Sequence, residues 1–339
     1  MRPSPANRKR LMLSQSLPPA ALALIESRAD IEAIGFPHVI SSADLNAMLT
    51  RHAPVHGIAL GVTPFGEDAI AAAGELAAVA RIGVGFDAVD VAALTRHGIP
   101  LLVTGTANSP SVAEATLFMM LALAKRGTEL DALVKGNGWA RRLDTTPFDL
   151  YGKTVLIVGL GRIGTRVAAR CRAMEMTVQA FDPYRSAAEI AAAGCTPVAD
   201  LDAALPCADI VTLHCPKTAE TTDLIDAARL ARMKPTAYLI NTARGGIVNE
   251  TALHAALSSG RLAGAGLDVF ASEPPPADHA LLRLSNVTCA PHLAGVTREA
   301  LERMGIETVR NLLGVLDGAP NRAHVVNPQV LAAHDAPVS

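Results

Sequence analysis

Arg244, Glu273 and His292 carry the side chains whose chemistry stands out in this sequence. Each sits in a short segment of its own: Asn241-Thr-Ala-Arg-Gly-Gly246, Asp268-Val-Phe-Ala-Ser-Glu-Pro274 and Ala290-Pro-His-Leu-Ala-Gly295. A guanidinium is a planar fork that grips a carboxylate with two parallel hydrogen bonds and can polarise a neighbouring carbonyl oxygen, which a lysine point charge does less selectively. An imidazole titrates near neutral pH, so it can give a proton to an oxygen that is gaining negative charge or take one from an alcohol. A carboxylate beside that ring stabilises its protonated form and raises its pKa. The three together suit a small 2-oxo or 2-hydroxy acid, bound by its carboxylate and interconverted at C2. Singly, each has a plain alternative: a strand-end ion pair for Arg244, a solvated loop acid for Glu273, a packed loop histidine for His292.

The second constellation is Gly159-Leu-Gly161-Arg-Ile-Gly164, which directly follows the apolar run Thr154 to Val158 and opens the helical stretch Arg162 to Ala173. The first glycine permits a tight turn, the second lets a pyrophosphate approach the backbone, and the third lets helix and strand pack closely while helix N–H groups face the phosphates. Asp182 ends the next strand candidate, where a carboxylate accepts hydrogen bonds from the adenosine ribose hydroxyls. Its charge repels a 2'-phosphate, so NAD is expected over NADP, with Arg185 the one feature that softens the preference. A solvated turn acid before Pro183 is the alternative for Asp182.

Elements that position these groups are legible as an alternation. Leu11 to Leu13, His56 to Val62, Val79 to Ile82 and Leu101 to Val103 read as strands separated by alanine-rich helical stretches, implying a mostly parallel sheet. Asn108 to Lys125 reads as one helix with Ser109 as N-cap, Pro110 in its first turn and Glu114 near its positive end; being apolar on nearly every face, it is expected to be buried. A second alternation places strands at Val155 to Val158, Thr177 to Phe181, Ile210 to Leu213, Tyr238 to Asn241 and Gly264 to Val269. The helix over Thr297 to Leu316 has apolar residues at helical spacing and is expected to pack on the first domain, while the tail after Pro328 carries no structural signal. Ligands of open α/β sheets bind beyond the carboxyl ends of the strands, which is where the Arg244, Glu273 and His292 segments fall.

In their order, RIGVGFD at 81–87, NSPSVAE at 108–114, GLGRIG, NTARGG, DVFASEP and PHLAG resemble the D-isomer specific 2-hydroxyacid dehydrogenases, with phosphoglycerate dehydrogenases and glyoxylate/hydroxypyruvate reductases nearest in pattern over about residues 81–327. The resemblance implies an α/β fold of two Rossmann-like, doubly wound parallel-sheet domains: a flavodoxin-like substrate domain (1–107 plus 302–339) and an NAD-binding Rossmann domain (108–301), with a cleft between them. It implies Arg244 as substrate anchor, His292 as acid/base and Glu273 as its partner. It implies cofactor contacts from Gly159, Gly161, Arg162, Ile163, Gly164, Asp182, Cys215, Pro216, Thr221, Thr242, Ala243, Asp268 and Gly295, with Asp268 on the nicotinamide carboxamide. Arg81, Val84 and Gly85 are the implied substrate-binding positions, Arg81 having a surface role as its alternative. Trp139 falls in a segment that forms a dimer arm in relatives, so a homodimer is expected; an isolated core tryptophan is the other reading.

Composition narrows the field. Among its 339 residues 50% are apolar and 18% charged. That is enough material for two buried cores. A formal net charge of −2 disfavours a broad nucleic-acid surface. Ala115 to Ala124 is shorter than the about 20 apolar residues a membrane span needs. After Arg8, Lys9 and Arg10 no uninterrupted apolar signal core follows. Five cysteines without a CxxC pair read as reduced thiols of a cytoplasmic protein, serving as small core residues, and no metal site is suggested. The pocket-lining loops are expected near Leu45 to His56 and Gly61 to Gly66. Two other readings stay open. One is a short-form D-3-phosphoglycerate dehydrogenase without serine feedback, since the chain ends soon after Asn327. The other is an NAD-sensing corepressor or scaffold of the same fold. A formate-type enzyme would place a glutamine with the histidine, and Glu273 counts against it.

Overall fold

The computed structural model describes residues 8–144 and 146–334. The chain falls into two compact units, one running to Asn108 and resuming at Thr297, the other spanning Ser109–Val296. Each holds a wholly parallel sheet among the described residues, with helices between successive strands.

In the first unit the strands are β1 (Lys9–Ser14), β2 (Ile31–Phe36), β3 (Gly57–Leu60), β4 (Ala78–Arg81) and β5 (Leu101–Leu102), in the order β2-β1-β3-β4-β5. That is the flavodoxin-like winding, which reverses direction between β1 and β3. β3 is buried at every residue, as a strand covered by helices on both faces must be. The helix Arg298–Leu316 closes one face: its Val309 and Leu312 share a core with Leu11, Leu13, Ala59 and Ala80. Thr297 caps it by accepting the Ala300 N–H at 3.0 Å, which satisfies a donor the helix leaves unpaired. A Cβ at Gly57 would stand 2.7 Å from Leu11 Cδ2 and 3.2 Å from Leu312 Cδ2, so the helix lies that close because the strand offers no side chain there.

Three expectations for this unit are corrected. β2 is absent from the strand reading, because Ile31-Glu-Ala-Ile-Gly-Phe36 alternates weakly and sits at the sheet edge. Leu45 to His52 is helix, not loop, within Ser42–His52, capped by Ser41. The stretch after Pro328 is also ordered. A helix covers Gln329–His334 and buries Val330 and Leu331, while buried Asn327 accepts the Leu101 N–H at 2.9 Å and donates to the Ile99 carbonyl at 3.0 Å. These are tertiary contacts with no local sequence signature; residues 335–339 of that tail lie outside the described residues.

In the second unit the strands are β6 (Thr154–Val158), β7 (Thr177–Phe181), β8 (Thr196–Pro197), β9 (Ile210–Leu213), β10 (Tyr238–Asn241), β11 (Gly264–Leu267) and β12 (Val287–Cys289), in the order β12-β11-β10-β9-β6-β7-β8. This is the Rossmann winding, with its reversal between β6 and β9. The helix Ser109–Lys125 buries Val112, Ala113, Met119 and Met120 but leaves Phe118 64% exposed, so the expectation of burial on all faces is wrong for one face. A Cβ at Gly266 of β11 would meet Met119 Cβ at 3.0 Å, which is how closely that helix presses on the sheet. Trp139 is exposed on a short 3-10 turn, which rules out the core reading. Of the cysteines, all unpaired, Cys171 and Cys195 are buried, whereas Cys207 and Cys289 are exposed; a purely core role is too broad.

Candidate active site

The winding reversal between β6 and β9 leaves a crevice beyond their carboxyl ends, and the glycine fingerprint occupies that position. Gly159 has φ +92°, and a Cβ there would lie 2.7 Å from the Cys215 nitrogen. L side chains rarely adopt that conformation. At Gly164 the Cβ would lie 2.1 Å from the Gly159 carbonyl oxygen, so the helix Gly164–Ala173 starts in direct contact with the turn. Nothing stands within 4 Å of the corresponding point at Gly161. Two glycines needed for contact and one facing open space is the pattern a pyrophosphate cradle requires. Arg162 is exposed and Ile163 half-buried at the helix start.

Asp182 follows β7 and is half-buried. Its two oxygens accept the Leu160 N–H at 2.8 Å and the Tyr184 N–H at 3.0 Å, which locks the carboxylate beside the glycine turn. Across from it, the Tyr184 hydroxyl donates to Glu220 at 3.0 Å, bringing a second carboxylate toward the same end. Arg185 acts electrostatically on Glu189, at the start of the helix Ala187–Ala192. The loop after β9 carries Cys215, whose thiol burial pushes up to about 11 and so keeps neutral, and Pro216, whose carbonyl accepts the Thr221 hydroxyl at 2.7 Å.

Just before Cys215, burial pushes His214 down to about 3. Its Nε2 faces the Thr212 hydroxyl at 2.9 Å, and its buried Nδ1 has no hydrogen-bond partner among the described residues. The ring therefore stays neutral while an unfolded histidine, with a pKa of about 6.5, takes up a proton below that pH. Stability contributed by the neutral ring is whole above about pH 6.5 and declines as pH falls toward 3, with a limiting slope of about 1.4 kcal/mol per pH unit. The expected result is that urea-unfolding free energies of the parent and His214→Gln converge as pH drops from 7 to 5; curves that stay parallel exclude a neutral His214.

Arg244, Glu273 and His292 come from the segments that follow β10, β11 and β12, three adjacent strands of the sheet. Asn241, nearly fully buried, staples the first turn: its Oδ1 accepts the Ala243 N–H at 3.0 Å and its Nδ2 donates to the Arg244 carbonyl at 2.9 Å. Thr242 turns its hydroxyl inward to Thr116 at 2.8 Å, and Ala243 is buried. The Arg244 guanidinium donates to the Ala243 carbonyl at 2.7 Å.

Asp268, 1% exposed, spends its carboxylate on the Leu293 and Ala294 N–H groups, at 2.8 and 2.9 Å, and its carbonyl accepts the His292 N–H at 2.7 Å. Burial pushes its carboxyl up, and the Ala294 and Leu293 amides oppose that shift by bonding the charged form. Asp268 thus shapes the loop that presents His292, which adopts φ +56°, and leads to half-buried Gly295. His292 Nδ1 meets Glu273 Oε2 at 2.6 Å, while Glu273 Oε1 accepts the Phe270 N–H at 3.0 Å. Nδ1 being engaged, Nε2 is the ring atom available to a substrate.

Arg81, in the first unit, directs its fork to its own loop: Nε donates to the Gly85 carbonyl at 2.8 Å, and Nη1 to those of Leu60 and Gly61. It thereby shapes the turn bearing Val84 and Gly85. The inward-facing Thr116, the Asn241 staple and the neutral His214 are supports of the site that sequence reasoning misses. Their only sequence signal is a polar residue inside or next to an apolar run.

Residues 117–294 match the family model described as D-isomer specific 2-hydroxyacid dehydrogenase, NAD binding domain. The D-3-phosphoglycerate dehydrogenase of Archaeoglobus fulgidus is 39% identical over 263 residues, covering 78% of this chain and 50% of that protein. The glyoxylate reductase of Thermofilum pendens is 40% identical over 263 residues and 77% of each chain. Among solved structures, the D-lactate dehydrogenase of Aquifex aeolicus complexed with NAD and lactic acid superposes with a TM-score of 0.81 at 29% identity, covering 94% of this chain and 99% of that one. The chain belongs to the D-isomer specific 2-hydroxyacid dehydrogenase family. It spans about half the length of the curated phosphoglycerate dehydrogenases it matches.

Proposed function

We propose that this protein is an NAD-dependent oxidoreductase that interconverts a small 2-oxo acid and its D-2-hydroxy acid. The observation that carries this is the 2.6 Å pair of His292 and Glu273, placed at the strand ends beside the Arg244 turn in a unit with a complete dinucleotide fingerprint. Bound NADH would supply the hydride that reaches C2 of the substrate. Gly159, Gly161 and Gly164 would hold its pyrophosphate and Asp182 its adenosine ribose, with Cys215, Pro216, Thr221 and Ala243 along its length. Arg244 binds the substrate carboxylate and draws electron density from the carbonyl oxygen. As that oxygen becomes negative, protonated His292 delivers a proton from Nε2, and Glu273 stabilises the charged ring until it does. Oxidation reverses the sequence: neutral His292 accepts the alcohol proton. Arg81, Val84 and Gly85 are retained as substrate-binding positions on their motif.

Two carboxylates, Asp182 beside the glycine turn and Glu220 on the Tyr184 hydroxyl, support NAD over NADP. The wild-type protein and Asp182→Ala, assayed with NADH and NADPH against glyoxylate, hydroxypyruvate, 3-phosphohydroxypyruvate, pyruvate and phenylpyruvate, test the proposal. At least one acid should be reduced, NADH should be preferred, and the variant should lose about tenfold of that preference. Selective reduction of 3-phosphohydroxypyruvate assigns the phosphoglycerate branch. No reduction of any acid, with NADH still bound, replaces catalysis with NAD sensing.

The homodimer is proposed through the segment after Lys125, where Val134, Trp139 and Leu143 are 53%, 65% and 81% exposed. Apolar side chains left open in a cluster mark an interaction surface. A cytoplasmic location is proposed on the unpaired cysteines; among the described residues no helix is long and apolar enough to cross a membrane.

A further inference from the structure

A second carboxylate–imidazole pair lies in the same unit. Glu250 opens the helix Glu250–Ser258, and its Oε2 meets His279 Nε2 at 3.0 Å; the two side chains are 18% and 20% exposed. The other oxygen of Glu250 accepts the Ala271 N–H at 2.6 Å. His279 Nδ1 is buried and has no hydrogen-bond partner among the described residues, so the ring donates from Nε2 to Glu250. Its edge also packs on Phe270, with ring centroids 5.8 Å apart at 75°.

Consecutive amides of one loop are therefore held by two different carboxylates: Phe270 N–H by Glu273 and Ala271 N–H by Glu250. Glu273 is at the same time the partner of His292. On the other side, a Cβ at Gly245 would fall 1.8 Å from the Phe270 carbonyl oxygen, so the turn following Arg244 rests directly on that peptide. Phe270, held through the peptide on either side of it, is thus a common support for the acid/base pair and for the anchor arginine.

We propose that Glu250 and His279 are positioning residues of the reaction, clamping the Phe270–Ala271 peptide so that Glu273 reaches His292 and the Arg244 turn keeps its seat. This deepens the function proposed above and rests on it. Misplacing a catalytic group by about 1 Å from a remote site can cost about 10²-fold in rate. Glu250→Ala should accordingly lower kcat/KM for the reduced 2-oxo acid by about 10- to 100-fold, chiefly in kcat, with the Kd for NADH changed less than about twofold. Glu250→Gln keeps an oxygen for the Ala271 N–H and should retain most of the rate. His279→Phe keeps the ring contact while removing the hydrogen bond, and should fall between them.

Because part of the effect runs through Glu273, the loss in E250A/E273Q should be smaller than the product of the two single losses. The NMR titration of the His292 ring should move in E250A in the same direction as in E273Q. Independent, multiplicative losses, or an unmoved His292 titration in a folded E250A, overturn the inference; if E250A does not fold, the same readings on His279→Phe decide. A wild-type protein that reduces no 2-oxo acid overturns the functional reading instead. The His292 titration, which needs no substrate, still reports on the clamp.

Discussion

Replacing His292 with alanine is expected to slow turnover by about 10² to 10⁴, the range for loss of a positioned general acid or base, while the Kd for NADH stays near that of the wild-type protein. The separation follows from the placement of the residue. His292 lies beyond β12, and the glycine cradle lies beyond β6, at the other end of the run β12-β11-β10-β9-β6. The backbone of the His292 loop is fixed by Asp268, through the Leu293 and Ala294 amides, so removing the ring leaves the loop's own supports in place. Steady-state rates combined with an NADH fluorescence titration check this. Turnover close to that of wild type would remove His292 from the chemistry.

Arg244→Ala should cost about 10² to 10³ in kcat/KM for the 2-oxo acid, since losing one partner of a desolvated charged hydrogen-bond pair costs about 2–5 kcal/mol. Arg244→Lys discriminates between a charge and a fork: a lysine supplies the charge but not two parallel donors, so it should recover no more than about a tenfold part of the loss. Both variants are expected to fold. The turn is stapled by the Asn241 side chain and seated on Phe270 through Gly245, neither of which uses the guanidinium. Full activity in Arg244→Lys would reduce the residue to a source of positive potential. A loss below about tenfold in Arg244→Ala would remove it from the substrate altogether.

Much of this protein is readable from its residues because the signals are local. Ile210–Leu213 and Tyr238–Asn241 are strands at the bounds their largely apolar runs indicate, as strands covered on both faces are, and Thr177–Phe181 is legible by its alternation of buried and more open residues. The fingerprint glycines are equally legible: a φ of +92° at Gly159 and the contact distance at Gly164 leave no other residue type at those points. The short strands toward the two edges of the second sheet are not readable. β8 has two residues and β12 three, and their pairing is decided by the neighbouring strand rather than by propensity.

The residue types of the candidate site, an arginine, a glutamate and a histidine, are set by the sequence alone. What those side chains do to one another is not. That Glu273 divides its two oxygens between His292 and the Phe270 amide depends on strand order, which brings positions 19 residues apart within 2.6 Å. Asp268 shows the same division: as a residue type it suits a ligand contact, yet in the fold its carboxylate is spent on two backbone amides. Glu250 and His279 read in isolation as a helix-start acid and a loop histidine. Their bond to each other and to Ala271 arises from packing between elements far apart in the chain, and no periodicity or motif encodes a half-buried polar network of that kind.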